Sequence, residues 1–453
     1  MKGVKTKVKK RGNKTNIQVM NDNDYRNKIV QIMSTLKPIT IVENLSGIFK
    51  FRQINGELRP PNWIMKMVAI LYIVVYSFIF VGNLRRLIET STSVEWSGKW
   101  RAMQEIPTIA VLFQFVSSSI QVYFPANSRL NIRILTTIAE LDNMLHVETF
   151  KDFYKKSRSK TNLLLLVLVI SHGITIGFDL LRTECAFWAV IAYHLYFIQK
   201  LEILAFFKYI FMVTRRLKVI NKYLSAFVIE QEQKNVTVFT VRNKKKDSQE
   251  KFNYIGRVSE RNMKVRDLAL MYDIIGKTCF MITEAFNLKI FLVLVSAFGY
   301  IIVTIRTALY FYQSMHRFTA LVTLCIWCLS SVINLIILAF VCDRLHRIRS
   351  KTKILVNKIV MNYDLPKTMR IQAKAFMELL EAWPLRINVY DMFSVDITLV
   401  LKFISVATTY LIVIIQMTHL MTKNLNENNK QSDRYGQFDC THGDTSWYTF
   451  PMT

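Results

Sequence analysis

The sequence predicts an all-α membrane protein with seven transmembrane helices. Three observations lead there. The chain has 453 residues, is 51% hydrophobic and has a mean hydropathy of +0.22. It holds 13 Gly and 8 Pro, about half the usual usage, which leaves little punctuation for a many-turned β protein. It also contains seven apolar runs near the ~20 residues that a spanning helix needs.

The first run, Trp63–Leu84, has no charge after Lys66. Ile106–Ala126 and Thr161–Phe178 carry none. Ala186–Val213 is interrupted by Lys200, Glu202 and Lys208, and the first two are expected to mark where the fourth helix leaves the hydrocarbon. Ile290–Tyr312 contains Arg306, Phe318–Cys342 is uncharged, and Ile397–Met417 has Lys402 near its start. One such run could be a buried helix of a soluble protein. Seven exceed what the rest of the chain could cover.

The charge is lopsided, with 60 Lys+Arg against 32 Asp+Glu, a net +28. Residues 1–62, 127–160, 214–288 and 343–396 together hold 45 of the basic residues, and the alternate connections with the C-terminal segment hold 9. Basic residues mark cytoplasmic loops, so the N-terminus is expected in the cytoplasm and, after seven crossings, the C-terminus outside. The shorter segments 1–62 and 127–160 alone give the same orientation. The excess therefore belongs to loops beside a lipid bilayer, and no nucleic-acid partner is expected.

Three parts follow: a basic cytoplasmic segment 1–62, a seven-helix domain 63–417 with cytoplasmic helical loops 214–288 and 343–396, and a polar extracellular tail 418–453. Residues 215–233 continue the fourth span as a charged helical pattern. Val265, Leu268, Leu270, Met271 and Ile274 fall at near-helical spacing before the fifth. Residues 343–362 extend the sixth span, and Lys367–Trp383 precede the seventh. Helices that overrun the bilayer on one side predict a packed cytoplasmic anchor. The tail reads as irregular, most clearly at Asn424–Lys430.

Enzyme chemistry has no motif: the chain lacks a phosphate-cradling glycine loop, His-Glu-x-x-His and Gly-x-Ser-x-Gly. No cofactor is expected. Cys325-Ile-Trp-Cys328 lacks a second cysteine pair and reads as small residues packed in a helix, so no metal site is expected. Asp179 and Arg306, near the outer ends of their spans, either pair across helices or snorkel to headgroups. His172 is a hydrogen-bonded interior residue or a ligand contact. Trp188, Tyr193, Tyr196, Tyr310, Tyr312 and Trp327 cluster in the outer half. They could wall a small organic ligand or form an interfacial belt with core packing.

The seventh run ends Thr408-Thr409-Tyr410, five aliphatics, Gln416-Met417. At 100° per residue, Thr409, Val413 and Gln416 lie within about 60° on one face. Hydroxyl, small aliphatic and amide in one stripe suit the wall of a narrow pore, or hydrogen bonding between packed helices.

Thr409-Tyr410-x5-Gln416 resembles the seventh-helix signature of insect gustatory receptors, Thr-Tyr-five hydrophobics-Gln-Phe. The resemblance extends to Phe393-Ser394-Val395-Asp396 and to Leu45-Ser46-Gly47-Ile48-Phe49 before the first span. Met417 stands where Phe is usual. The resemblance implies a ligand-gated, non-selective cation channel in the plasma membrane of sensory neurons, assembled as a homo- or hetero-tetramer with related receptors. It implies that Thr409, Tyr410, Val413, Gln416 and Met417 form the pore and gate. Sugar-tuned members tend to carry Glu where this chain has Gln416, so a small non-sugar tastant is the expected ligand. Its candidate contacts are His172, Trp188, Tyr193, Tyr196, Arg306, Tyr310 and Trp327. Two competing readings are a seven-span secondary transporter, whose broken helices and repeats are not evident here, and a G-protein-coupled-type chemoreceptor. The latter is opposed by the charge bias and by the lack of Asn-Pro-x-x-Tyr in the seventh span.

Overall fold

The structure is a computed structural model that describes residues 22–54, 56–93, 106–145, 153–180, 187–238, 265–314 and 318–436. Helices dominate. In order they are α1 (Asp22–Leu45), α2 (Trp63–Ser93), α3 (Ile106–Ile120), α4 (Pro125–Met144), α5 (Phe153–Leu180), α6 (Phe187–Val238), α7 (Val265–Ser314), α8 (Phe318–Met361), α9 (Lys367–Ala382) and α10 (Ile397–Gly436). Two small antiparallel hairpins punctuate them: β1 (Arg52–Ile54) with β2 (Glu57–Arg59), and β3 (Asn388–Val389) with β4 (Phe393–Ser394). Six helices are long and apolar enough to cross a membrane, or seven if α3 and α4 count as one bent span.

Several helices far exceed a bilayer. The 52 residues of α6 extend about 78 Å at 1.5 Å each, against a hydrocarbon core of ~30 Å. The 50 of α7 and 44 of α8 behave alike, so the charged continuations after the fourth and sixth spans are helical as expected. α9 occupies 367–382, also as expected, and packs on α7 and α8.

Four features depart from the sequence reading. The second span does not reach Ala126: it ends in a 3-10 turn at Gln121–Tyr123, and the chain bends by 88° into α4. Pro125 causes this. Proline favours an extended conformation in its predecessor, and Phe124 has φ −90° and ψ 106°. Proline also fits the first turn of a new helix. Second, the loop 127–160 is mostly the helix α4. Third, the basic N-terminal segment contains α1, with Ile29, Ile32, Met33, Leu36 and Ile39 buried at helical spacing. Fourth, the tail is helical through Asn424–Lys430, because no Gly or Pro interrupts the sequence from Ile397 to Gly436.

Two hydrophobic cores result. The larger joins α1, α4, the second half of α6, the first half of α7, the second half of α8, and α9. Val265, Leu268 and Met271 enter it as expected, but Leu270 is exposed, and Tyr272 and Ile275 complete the stripe. Gly276 lets α9 approach: a Cβ there would lie 2.4 Å from the Trp383 ring. Trp383 is held by Tyr272, whose hydroxyl donates to its carbonyl at 2.7 Å, and by Asp273, which accepts from its indole at 2.9 Å. The smaller core is aromatic and lies among α2, α3, α6, α7 and α8.

Candidate functional site

The aromatic core gathers four of the residues expected at a ligand site. His172, Tyr193, Tyr196 and Trp327 are all buried. Trp327 stacks between Tyr193 and Tyr300, with ring centroids 6.0 and 6.3 Å away. Tyr196 leans on Trp327 at 5.2 Å and shares a 3.0 Å hydrogen bond with Thr108. His172 Nε2 lies 3.0 Å from the Tyr193 carbonyl, which only accepts, so Nε2 carries the proton. Nδ1 is then an acceptor, and the Lys200 ammonium lies 3.3 Å from it. The side chains of Asp179, Trp188, Arg306, Tyr310 and Tyr312 lie outside the described residues.

A cavity of about 300 Å³ adjoins this cluster between α5 and α6, lined by His172, Ile176, Leu180, Val190, Tyr193, His194 and Phe197. Tyr196 and Trp327 are not among its walls, so they back the site instead of facing it. The sequence reading missed His194 and Phe197. Their signal is helical spacing, since Phe197 lies one turn from Tyr193 and Lys200. His194 is anchored by hydrogen bonds to Tyr76 and, at 3.4 Å, to Ser46. Ser46 belongs to the Leu45–Phe49 motif that closes α1. There Gly47 adopts φ +80°, and a Cβ would lie 2.8 Å from Tyr72, so the turn needs glycine twice over. The motif thus fastens α1 and α2 to the wall of the cavity.

One turn along α6 the aromatic core gives way to a buried polar network. Gln199 donates to Gln114 at 3.0 Å and to Ser296 at 2.8 Å, and Gln114 donates to Glu202 at 2.9 Å. Glu202 pairs with Lys289 at 2.9 Å, and Glu43 with Lys50 at 2.5 Å. Both ammonium groups flank the Phe286 ring, 5.4 and 5.3 Å from its centre. Lys200 and Glu202, expected where the fourth helix leaves the hydrocarbon, are buried inside the bundle. They are interior groups held by partners on α5, α3 and α7.

The seventh-helix residues sit differently. Thr409, Tyr410, Val413, Gln416 and Met417 are all exposed on the subunit surface. Tyr410 touches Phe298 edge-on at 5.4 Å, and the Thr409 hydroxyl bonds back to the Ser405 carbonyl at 3.1 Å. The stripe is longer than expected. Thr398, Lys402 and Ser405 are exposed too and share the sector of Thr409, Val413 and Gln416, about 80° wide at 100° per residue. Five polar side chains and one valine thus share one sector of the apolar run Ile397–Met417, with Thr408 exposed outside it. Asp396 starts it: its carboxylate accepts from the Thr398 and Leu399 backbone N–H groups at 2.9 and 3.3 Å, an N-cap. The Phe393–Asp396 motif is the hairpin edge and cap that aim this helix.

Comparison with family models identifies one family. Residues 36–419 match the family described as 7tm Chemosensory receptor. No curated protein matches. The structure is similar to that of the insect olfactory receptor OR5 from Machilis hrabei, with a TM-score of 0.58 and 13% sequence identity. That match covers 86% of this chain and 100% of the other. OR5 in complex with eugenol matches over the same shares, with a TM-score of 0.57 and 12% identity. At such identities the likeness is one of fold, whereas the family match spans most of the sequence. The chain is a multi-pass membrane protein that belongs to the 7tm chemosensory receptor family.

Proposed function

We propose that this chain is a subunit of a ligand-gated, non-selective cation channel acting as a taste receptor, opened by a small non-sugar tastant bound among the outer halves of the helices. The observation that carries this reading is the exposed polar stripe of α10, Thr398 to Gln416. Facing hydrocarbon, a lysine and an amide would be costly. Around the axis of a tetramer they would line a water-filled path, with Val413 or Met417 as an apolar constriction that closes by dewetting and Gln416 beside it to rehydrate the ion.

The extended helices support assembly. Leu270, Phe280, Ile354, Met361 and Ile371 are exposed apolar side chains outside the seven runs, a surface for further copies or related receptors. The aromatic cavity supports a small organic ligand, as the eugenol complex of OR5 does for a protein of this fold. The 45-to-9 division of basic residues supports a cytoplasmic N-terminus and external C-terminus, and the gustatory resemblance supports the plasma membrane of a sensory neuron.

The test is cysteine substitution at 413 and 416 with ligand-evoked current recorded from cells expressing the chain. External thiol reagents are expected to alter the current with ligand present. Unmodified current despite surface expression would remove these residues from the pore. Epitope tags at residues 1 and 453 give the orientation: staining of intact cells is expected at 453 and not at 1.

A further inference from the structure

Three helices change character at one level of the bundle. In α5 the exposed apolar run Leu163, Leu166, Val167 and Ile170 begins just after Lys160. In α6 the apolar stretch through Phe211 gives way to Arg215, and in α8 exposed Phe340 is followed one turn later by Arg344. The basic residues of that level converge. Around the Phe211 ring centre, Lys160 stands at 5.8 Å, Lys208 at 5.7 Å, and Arg215 and Arg344 at 5.9 Å each. Lys218 lies in the field of Lys160, Arg215, Arg344 and Lys351.

Among the described residues their counter-charge is missing. The Lys208 ammonium is buried and held only by neutral oxygens, the carbonyl and hydroxyl of Ser157 at 3.0 Å each and the hydroxyl of Thr161. Asp142, whose field reaches Arg215, is taken by Arg216 and Tyr154, and Asp343 is paired with Arg347. Among the described residues, no carboxylate pairs with any of these six cations. Like charges gathered in one place repel one another until an anion arrives.

We propose that Lys160, Lys208, Arg215, Lys218, Arg344 and Lys351 form a binding site for a phosphorylated anion, supplied by the headgroup of an anionic phospholipid. The guanidinium fork of Arg344 matches phosphate oxygens, and Arg215, one nitrogen of which donates to the Phe153 carbonyl at 2.9 Å, has donors left to add. Exposed Lys160, Lys218 and Lys351 rim the site, and buried Lys208 stands behind them. The cluster begins where the exposed apolar surface of α5 ends, the level at which a lipid presents its phosphates. A soluble inositol phosphate offers the same chemistry from the aqueous side.

The test uses the full-length chain in phosphatidylcholine nanodiscs, with and without phosphatidylinositol bisphosphate. Native mass spectrometry is expected to show a retained lipid on each subunit, and thermal unfolding a raised midpoint. Lys160→Gln with Lys218→Gln removes two exposed charges and should weaken lipid binding roughly thirtyfold. Lys358→Gln with Lys374→Gln, exposed lysines elsewhere, should change nothing. Inositol trisphosphate that stabilises the chain in neutral discs, and fails in the first variant while the lipid leaves no adduct, would keep the site and assign its anion to the aqueous phase. Equal lipid binding by the two variants, or no binding in either arm, would overturn the proposal.

Discussion

α6 and α10 are both membrane-length apolar helices, and they are built in opposite senses. The spanning window of α6 is 72% buried within the subunit, that of α10 11%. Yet α6 carries Lys200, Glu202 and Lys208 in its run, and α10 is the more uniformly apolar. In water this would be paradoxical. In a bilayer it follows, because lipid accepts aliphatic side chains as readily as a protein core does, whereas charged groups must find partners inside the bundle. Burial of α6 is enforced by its charges. Among the described residues α10 has no such charge network to hold it inside, and Thr398, Lys402, Ser405, Thr409 and Gln416 are exposed in one sector.

The contrast can be tested from the larger effect to the smaller. Glu202→Ala strands Lys289 in the core and should cost about 3–5 kcal/mol, read as a lowered unfolding midpoint in detergent and lost surface expression. Replacing both partners by Met should recover most of it. Wild-type stability in the single variant would mean that the network is hydrated and that charge does not hold α6 inside. Gly276→Ala, at the junction of the extended α7 with Trp383, should cost about 1–3 kcal/mol by overpacking, measured in the same unfolding assay.

Asp396→Ala removes the cap of α10 and should cost about 1 kcal/mol. Burial raises the Asp396 carboxyl, but hydrogen bonds from Thr398, Ser394 and the backbone N–H groups of Thr398 and Leu399 outweigh it, leaving the group below the usual carboxylate range. Its stabilisation is complete above the ordinary carboxylate pKa and is lost as pH falls through the depressed folded value. Unfolding midpoints followed into acid should show this dependence in the wild type and not in Asp396→Asn. The smallest stability effects belong to Val413→Ser and Gln416→Ala, within about 0.5 kcal/mol because both side chains are exposed. Under the channel reading their electrical effects are large: more unliganded leak in the first, altered gating or ion selectivity in the second. Surface expression that collapses as in Glu202→Ala would return α10 to the core.

Much of this was legible in the residues. Length and hydropathy located the spans, because a bilayer fixes the length of an apolar helix, and continued helical spacing predicted the overruns of α6, α7 and α8. Thr409, Val413 and Gln416 were placed on one face by 100° arithmetic alone. The bend after Tyr123 was readable in Phe124-Pro125, but an apolar run counted to Ala126 conceals it. α1 was missed because a search for unbroken apolar runs passes over an amphipathic helix. The helical tail was missed because a polar composition was weighed above the absence of any helix breaker.

The sequence by itself determined the class of the protein, its spans and the periodic stripes along them, since these depend on local spacing and on the bilayer as solvent. Only the tertiary structure decided which helix is central and which peripheral. It paired Glu202 with Lys289, put Tyr196 behind the cavity and His194 in its wall, and gathered cations from α5, α6 and α8 around Phe211. Those arrangements join residues as far as 184 positions apart, Lys160 and Arg344, and no local preference encodes such contacts. They arise because buried charges and aromatic rings accept few partners, and the packing of the whole bundle selects among them.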